Sequence, residues 1–180
     1  MNILILGGTR FIGVATVQRL HAAGHRVAVF SRGRSAAPLP DGVTRLTGDI
    51  AALDDARAAF AAFAPEVVLH NVILTAEHAA GLMRAGKGLA RRVVMLSSLD
   101  VYRAYGRLHG SEPGPPEPLP LTEDSPLREK LYPYRAEAPT PEHPWYSYDK
   151  IPAERIVLGD PDLPGTVLRL PMVIGPRDYQ

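Results

Sequence analysis

The chain contains no cysteine. That excludes disulfides, thiolate nucleophiles and zinc-cysteine centres together, and it is compatible with a reducing cytosol. Lysine is scarce: 20 residues are basic, but only those at 87, 150 and 130 are lysines. Acids and bases are interspersed and the net charge is +1, so neither a nucleic-acid arm nor a membrane-surface patch is present, and a small, weakly charged substrate fits better. No apolar run approaches the length of a membrane span. The opening "MNILILGG" lacks the basic start of a signal peptide and reads as a strand, so a cytoplasmic location without a membrane partner is expected. His21 and His25 stand at i,i+4 but lack a third ligand, so they mark a helix end and no metal is expected.

What is present points to one domain. A length of 180 residues with 46% hydrophobic and 22% charged content suits a single globular unit with a sizeable core. Short aliphatic runs at Ile3 to Leu6, Val27 to Phe30, Val67 to Leu69, Val93 to Leu96 and Val167 to Leu170 have the look of strands buried on both faces. Between them, Leu53, Ala56, Phe60 and Phe63 recur with helical spacing, with Asp54 and Asp55 expected in the first turn and Pro65 closing the helix. Alternating strands and helices predict an α/β fold, a doubly wound parallel sheet with helices on its faces.

Residues 111–144 break this rhythm, holding ten of the 18 prolines. The excursion, spanning about 103–145, reads as a long ordered loop over the site, with Leu119, Leu121, Leu127, Leu131, Tyr132, Tyr134 and Trp145 as apolar anchors.

The first strand runs into "GGTRFIG", Gly7 to Gly13. Glycines between a strand and a helix allow a tight turn and close approach to a pyrophosphate, whose charge suits the helix N-terminus. Gly7, Gly8, Thr9, Arg10, Phe11, Ile12 and Gly13 are therefore candidate cofactor-binding residues. The second strand ends in Ser31 and Arg32 with no acid nearby; an acid there would hydrogen-bond the ribose of NAD, whereas arginine suits the extra phosphate of NADP. Arg10 and Arg32 thus favour NADP over NAD. In "TGDI", Asp49 and Ile50 follow a possible third strand, where the carboxylate can meet an adenine amino group, cap the next helix, or do both.

These pieces, together with "SSLDVY" at 97–102, "LTEDSPL" at 121–127, "YSYDK" at 146–150 and "LRLPMVIGPRD" at 168–178, occur in an order that resembles the extended or atypical short-chain dehydrogenase/reductases, in the NAD-dependent epimerase/dehydratase group. The resemblance implies a Rossmann fold and an NAD(P)-dependent reductase, epimerase or dehydratase acting on a sugar nucleotide or similar metabolite. It also implies catalytic roles for Ser98, Tyr146 and Lys150, with Lys150 reaching the cofactor ribose as well. Tyr146 and Lys150, four apart, are expected on one helix face. A phenol titrates near pH 10, so a phenolate useful at neutral pH needs roughly 4 kcal/mol of preferential stabilisation, which a compact ammonium supplies better than a planar guanidinium. Tyr148 has no lysine at the same offset and is the neighbour to be told apart from Tyr146.

Three departures accompany the resemblance. "LHNVILTAEH" at 69–78 replaces a small-residue cluster, so Val72 and Ile73 are expected to crowd the fourth strand's end, and His70 reads as core. Pro152 predicts a kink, or a helix beginning nearer Ser147. Relatives of this kind continue into a second lobe that contacts the substrate, so a missing or truncated lobe, a partner supplying it, or a homodimer is anticipated, with the last strand's apolar edge as the surface for such a partner. The alternative reading is a non-catalytic Rossmann protein that senses cofactor or associates with RNA, since atypical relatives with a "GGTRFIG" start include RNA-binding ones; near-neutral charge counts against RNA.

Overall fold

The computed structural model describes residues 1–176 and 178; Arg177 of the last matching stretch lies outside them, as do Tyr179 and Gln180. Six parallel strands form one sheet in the order β3-β2-β1-β4-β5-β6. They are β1 (Asn2–Leu6), β2 (Arg26–Ser31), β3 (Thr44–Thr47), β4 (Val67–His70), β5 (Arg92–Ser98) and β6 (Gly165–Leu170). The order reverses between β1 and β4, which pair in parallel as far as Leu6 and His70. In such sheets the carboxyl ends beside the reversal form the natural ligand crevice. The α/β Rossmann expectation holds.

Alternation along the strands sorts the core. Leu4, Leu6, Phe30, Val68 and Met95 face one layer, where they pack with Phe60, Phe63, Leu82, Ala153 and Val157. Ile3, Ile5, Val27, Val29 and Leu96 face the other and meet Val17, Ile12 and Leu20. The core helices are α1 (Phe11–Ala22), α2 (Arg57–Phe63), α3 (Ala76–Gly86) and α6 (Lys150–Gly159), and two short ones, α4 (Arg103–Leu108) and α5 (Pro144–Ser147), lie outside these two layers. Because β1 and β4 are buried on both faces, nearly every residue in them is apolar, as the sequence runs predict.

The helix expected over residues 53–63 is corrected. Ile50–Ala56 is a 3-10 segment with non-helical Ala52 at φ −130°, and the α-helix begins only at Arg57. Asp54 and Asp55 therefore precede its first turn. The apolar period is nevertheless satisfied, because Leu53, Phe60 and Phe63 all reach the core; burial of these three tolerates either winding.

The proline-rich excursion consists of α4 followed by irregular chain with a single 3-10 turn, Arg135–Glu137. Its anchoring differs from the expectation. Leu121 and Leu127 do pack against Val101, Tyr102 and Ile151, but Leu119 is 81% exposed and Trp145 49%. Charged groups hold the loop instead. Arg103 and Arg107 converge on one oxygen of Glu117 at 2.6 Å each. Glu112 accepts from the Lys130 amide at 2.9 Å, and Arg128 is buried against Asp149. Prolines leave few amide donors, so carbonyl oxygens and side chains take over the fastening.

Candidate functional site

The turn after β1 is built for close approach. Gly7 has φ +85°, and a Cβ added at Gly13 would lie 2.5 Å from the Gly7 carbonyl oxygen and 2.8 Å from the Gly8 Cα. The start of α1 is thereby pressed against the strand end, as a phosphate cradle requires. Arg10, extended at φ −135°, is the N-cap residue of α1 and makes no side-chain cap bond, which leaves its guanidinium available to a ligand.

A groove of about 480 Å³ opens beside this turn. It is lined by Gly7, Thr9 and Arg10, by Ser31, Arg32, Arg34 and Ser35 after β2, and by Asp49 and Ile50 after β3. Three guanidinium groups and no acid other than Asp49 border it. Asp49 Oδ1 accepts the Ala51 amide at 3.0 Å, so its capping role is realised. Of the expected cofactor residues, Gly8 and Ile12 instead support the turn from within: Gly8 abuts Val17 and Val29, and Ile12 packs into the core. Phe11, at φ 29°, lines a neighbouring cleft with Arg10 and Ser35.

The groove also has walls that the sequence did not single out: Leu74, His78 and Pro144. Thr75 caps α3 by accepting the His78 amide at 3.2 Å, which places the imidazole at the helix start. His78 Nδ1 accepts from the Leu74 amide at 3.4 Å, so Nε2 carries the hydrogen. Burial lowers the His78 pKa, opposed by Glu77 and Asp49. The legible signal was Thr75 three residues before His78, an N-cap spacing. Val72, expected to crowd the cofactor, does press on Gly7, its Cγ2 lying 3.0 Å from where a Cβ would stand. Ile73 turns away into the core with no exposure.

Around the ends of β4 and β5 lies a second cluster. Ser98 Oγ accepts the Asp100 amide at 3.2 Å and caps the 3-10 turn Leu99–Val101. Ser97 is buried and donates to Glu154, which also receives Arg169 through both carboxylate oxygens. Lys150, 8% exposed, donates to the Leu96 carbonyl at 3.0 Å. Burial lowers its pKa, while Asp100 and Glu154 work the other way. Lys150 does not line the groove.

Tyr146 and Lys150 do not share a helix face, contrary to the sequence expectation. Tyr146 belongs to the one-turn α5, and Tyr148 and Asp149 are extended before α6 starts at Lys150. Pro152 explains the break: a helix running through would need its missing N–H to donate to the Tyr148 carbonyl and would drive its ring into that group. Starting at Lys150 puts Pro152 in the first turn, where no such bond is required. Asp149 seals the restart by accepting the Ile151 amide at 3.0 Å. The Tyr146 ring lies under Arg135, 4.8 Å from guanidinium carbon to ring centroid, and is 36% exposed. Tyr148, the neighbour to be distinguished, instead donates to Asp100 Oδ2 at 2.8 Å. Burial and the adjacent Asp100 raise its pKa well above the ordinary phenol range.

Among the described residues, the buried side-chain atoms left without a hydrogen-bond partner are His70 Nε2, Asn71 Oδ1 and Asp100 Oδ1. All three stand just at or beyond the carboxyl ends of β4 and β5. Buried polar atoms are usually met by a protein group or an ordered water, so these three are the buried atoms best placed to take a further polar partner. His70 Nδ1 accepts from the Val72 amide at 3.2 Å, so its unmet Nε2 is a donor. Burial, with His78 and Lys150 adding to it, lowers the His70 pKa to about 3.

Comparison with known proteins gives this geometry a setting. The family described as NAD dependent epimerase/dehydratase matches residues 3–180. A 2'-dehydrokanamycin reductase from Streptomyces kanamyceticus is 37% identical over 97 residues, 54% of this chain and 28% of that protein. The dTDP-glucose 4,6-dehydratase of Bacillus anthracis, solved with NAD, superposes with a TM-score of 0.72 at 19% identity, covering 99% of this chain and 57% of that one. The UDP-glucose 4-epimerase of Thermotoga maritima, solved with UDP-glucose, superposes at 0.70 and 20% identity, covering 100% and 59%. The chain thus spans well under two thirds of the length of these proteins.

Proposed function

The chain belongs to the NAD dependent epimerase/dehydratase family, and from that premise we propose that it binds NAD(P) in the arginine-lined groove and serves an oxidoreductase, epimerase or dehydratase reaction. The substrate class is a sugar nucleotide or similar metabolite with a hydroxyl- or carbonyl-bearing carbon. The observation that carries this reading is the glycine cradle: the Gly13 position has no room for a Cβ, a cost a fold accepts where backbone must meet a ligand.

The residues present fit the cofactor. Gly7, Thr9 and the start of α1 offer backbone to a pyrophosphate. Asp49 and Ile50, at the groove's β3 side, would hold the adenine end, and Asn71 Oδ1, buried without a partner, would offer an acceptor. Arg10 and Arg32 favour a 2′-phosphate, so NADP is preferred over NAD. When bound, the nicotinamide supplies hydride transfer. In this reading Tyr146 moves the proton of the substrate oxygen, Ser98 holds that oxygen, and Lys150 provides the positive charge that favours a phenolate. Since Tyr146 and Lys150 sit on separate helices, the proton step depends on how α5, whose Pro144 lines the groove, is held beside the crevice.

A second reading, a cofactor-binding protein without catalysis, is favoured by one observation: the Tyr146 ring is engaged by Arg135 rather than by Lys150. Titration of the purified chain with NADPH and NADH, followed by nicotinamide fluorescence, tests both. Binding of NADPH tighter than NADH, with the preference lost in Arg32→Ala, supports the cofactor assignment; no binding of either defeats it. Turnover abolished by Tyr146→Phe separates the enzyme from the sensor.

A further inference from the structure

We propose that Asp100 is a positioning residue of this site, the buried countercharge that keeps Lys150 an ammonium and, by clamping Tyr148, fixes the joint between α5 and α6. The inference rests on the role given to Lys150 above and goes beyond it, because Asp100 falls in the "SSLDVY" stretch, where the resemblance gives roles only to the serines.

The carboxylates near Lys150 are not equally free to serve it. Glu154 already receives Arg169 and Ser97. Asp149 is occupied by Arg128 at 3.1 Å, by the Tyr132 amide at 2.7 Å and by the Ile151 amide. Asp100 differs. It is 5% exposed, its Oδ2 receives two neutral phenols, Tyr148 at 2.8 Å and Tyr134 at 3.3 Å, and its Oδ1 has no partner. Arg128 reaches the Asp100 backbone carbonyl rather than its carboxylate. Among the described residues no cation forms an ion pair with Asp100, so its negative charge is uncompensated at short range.

The positive side is equally sparse. Lys150 has one hydrogen bond, to a neutral carbonyl, and its neighbour on β4, His70, is a neutral imidazole. The carboxylates acting on the ammonium are Asp100 from the turn after β5 and Glu154 from the next turn of α6, while Asp149 at the helix start is paired with Arg128. Of the two acting on it, Glu154 is already spent on Arg169. A buried carboxylate and a buried ammonium, each short of partners in a medium of low polarisability, stabilise one another's charge without touching. The phenol bonds add a mechanical constraint, for Tyr148 immediately precedes Asp149 and Lys150, so its bond to Asp100 ties that joint to the end of β5.

The chain holds only lysines 87, 130 and 150, which makes the test direct. Protein labelled with carbon-13 at lysine Cε gives three signals to follow against pH, without cofactor or substrate, so the result is independent of whether NAD(P) binds. In the unaltered chain Lys150 is expected to titrate below Lys87 and yet to be protonated at pH 7; a neutral Lys150 at pH 7 overturns the proposal and needs no variant that might fail to fold. Asp100→Asn is expected to lower the Lys150 midpoint by about one pH unit or more. Tyr148→Phe, which keeps the carboxylate, is expected to move it by much less. An unchanged midpoint in Asp100→Asn, or an equal drop in both variants, sinks the countercharge role.

Discussion

The two ends of the crevice are made of different material. At the β1 and β2 side the site is backbone: glycines at 7, 8 and 13, a helix start, and arginines that reach in from flexible stems. At the β5 and α6 side it is buried charge: Glu154 with Arg169 and Ser97, Asp149 with Arg128, and Asp100 with two phenols. A backbone site is rigid and indifferent to pH, suited to a ligand part that never changes. A charged, dehydrated site has properties that depend on every neighbour, suited to the place where protons move.

Substitutions can break this contrast at either end. The largest effect is expected from Arg128→Met, because Arg128 and Asp149 both have 1% side-chain exposure and removing one partner of a buried pair costs about 3–5 kcal/mol. Chemical denaturation measures it, and proteolysis is expected to cut first within 111–143 as that stretch loses its fastening. Gly13→Ala follows: overpacking costs about 1–3 kcal/mol, and NAD(P)H affinity is expected to fall by more than tenfold because the cradle itself shifts. Thr75→Ala removes the cap that seats His78 and is expected to cost about 1 kcal/mol in thermal unfolding. Smallest in stability is Arg32→Ala, neutral to folding, with its effect confined to the ratio of NADPH to NADH affinity.

The acid response sharpens the same comparison. His70 has its pKa lowered from 6.5 to about 3 by burial, so below pH 6.5 the unfolded chain binds a proton that the folded chain refuses. Stability supplied by this residue is complete above pH 6.5 and falls as pH drops toward 3. Replacing His70 with leucine is expected to flatten the slope of unfolding free energy against pH in that window, measured by urea titration at several pH values; an unaltered slope assigns the acid sensitivity elsewhere.

Most of the sheet was legible because periodicity reports burial, and burial is what its aliphatic strands share. The "GGTRFIG" turn was legible for the same reason a glycine is: few alternatives satisfy the backbone. What could not be read was long-range pairing. Nothing near Arg128 announces Asp149, and nothing near Asp100 announces Tyr134 and Tyr148, since these bonds span 21, 34 and 48 residues. The winding of residues 50–56 was missed because spacing alone does not separate a 3-10 segment from an α-helix when only one face is buried. The shared helix face of Tyr146 and Lys150 was expected from their spacing, although Pro152 carried the contrary information.

That interruption at Tyr148 and Asp149 mounts Tyr146 and Lys150 on separate helices. With an unbroken helix, phenol and ammonium would move as one body. Here Lys150 is set in the core, while Tyr146 is set against Arg135 of the proline-rich excursion, with two extended residues between their helices. The spacing of the Tyr146 phenol from the Lys150 ammonium is then written into the contacts of Arg135, Arg128 and Tyr148, so substitutions in the loop can reset it without disturbing a residue of the sheet.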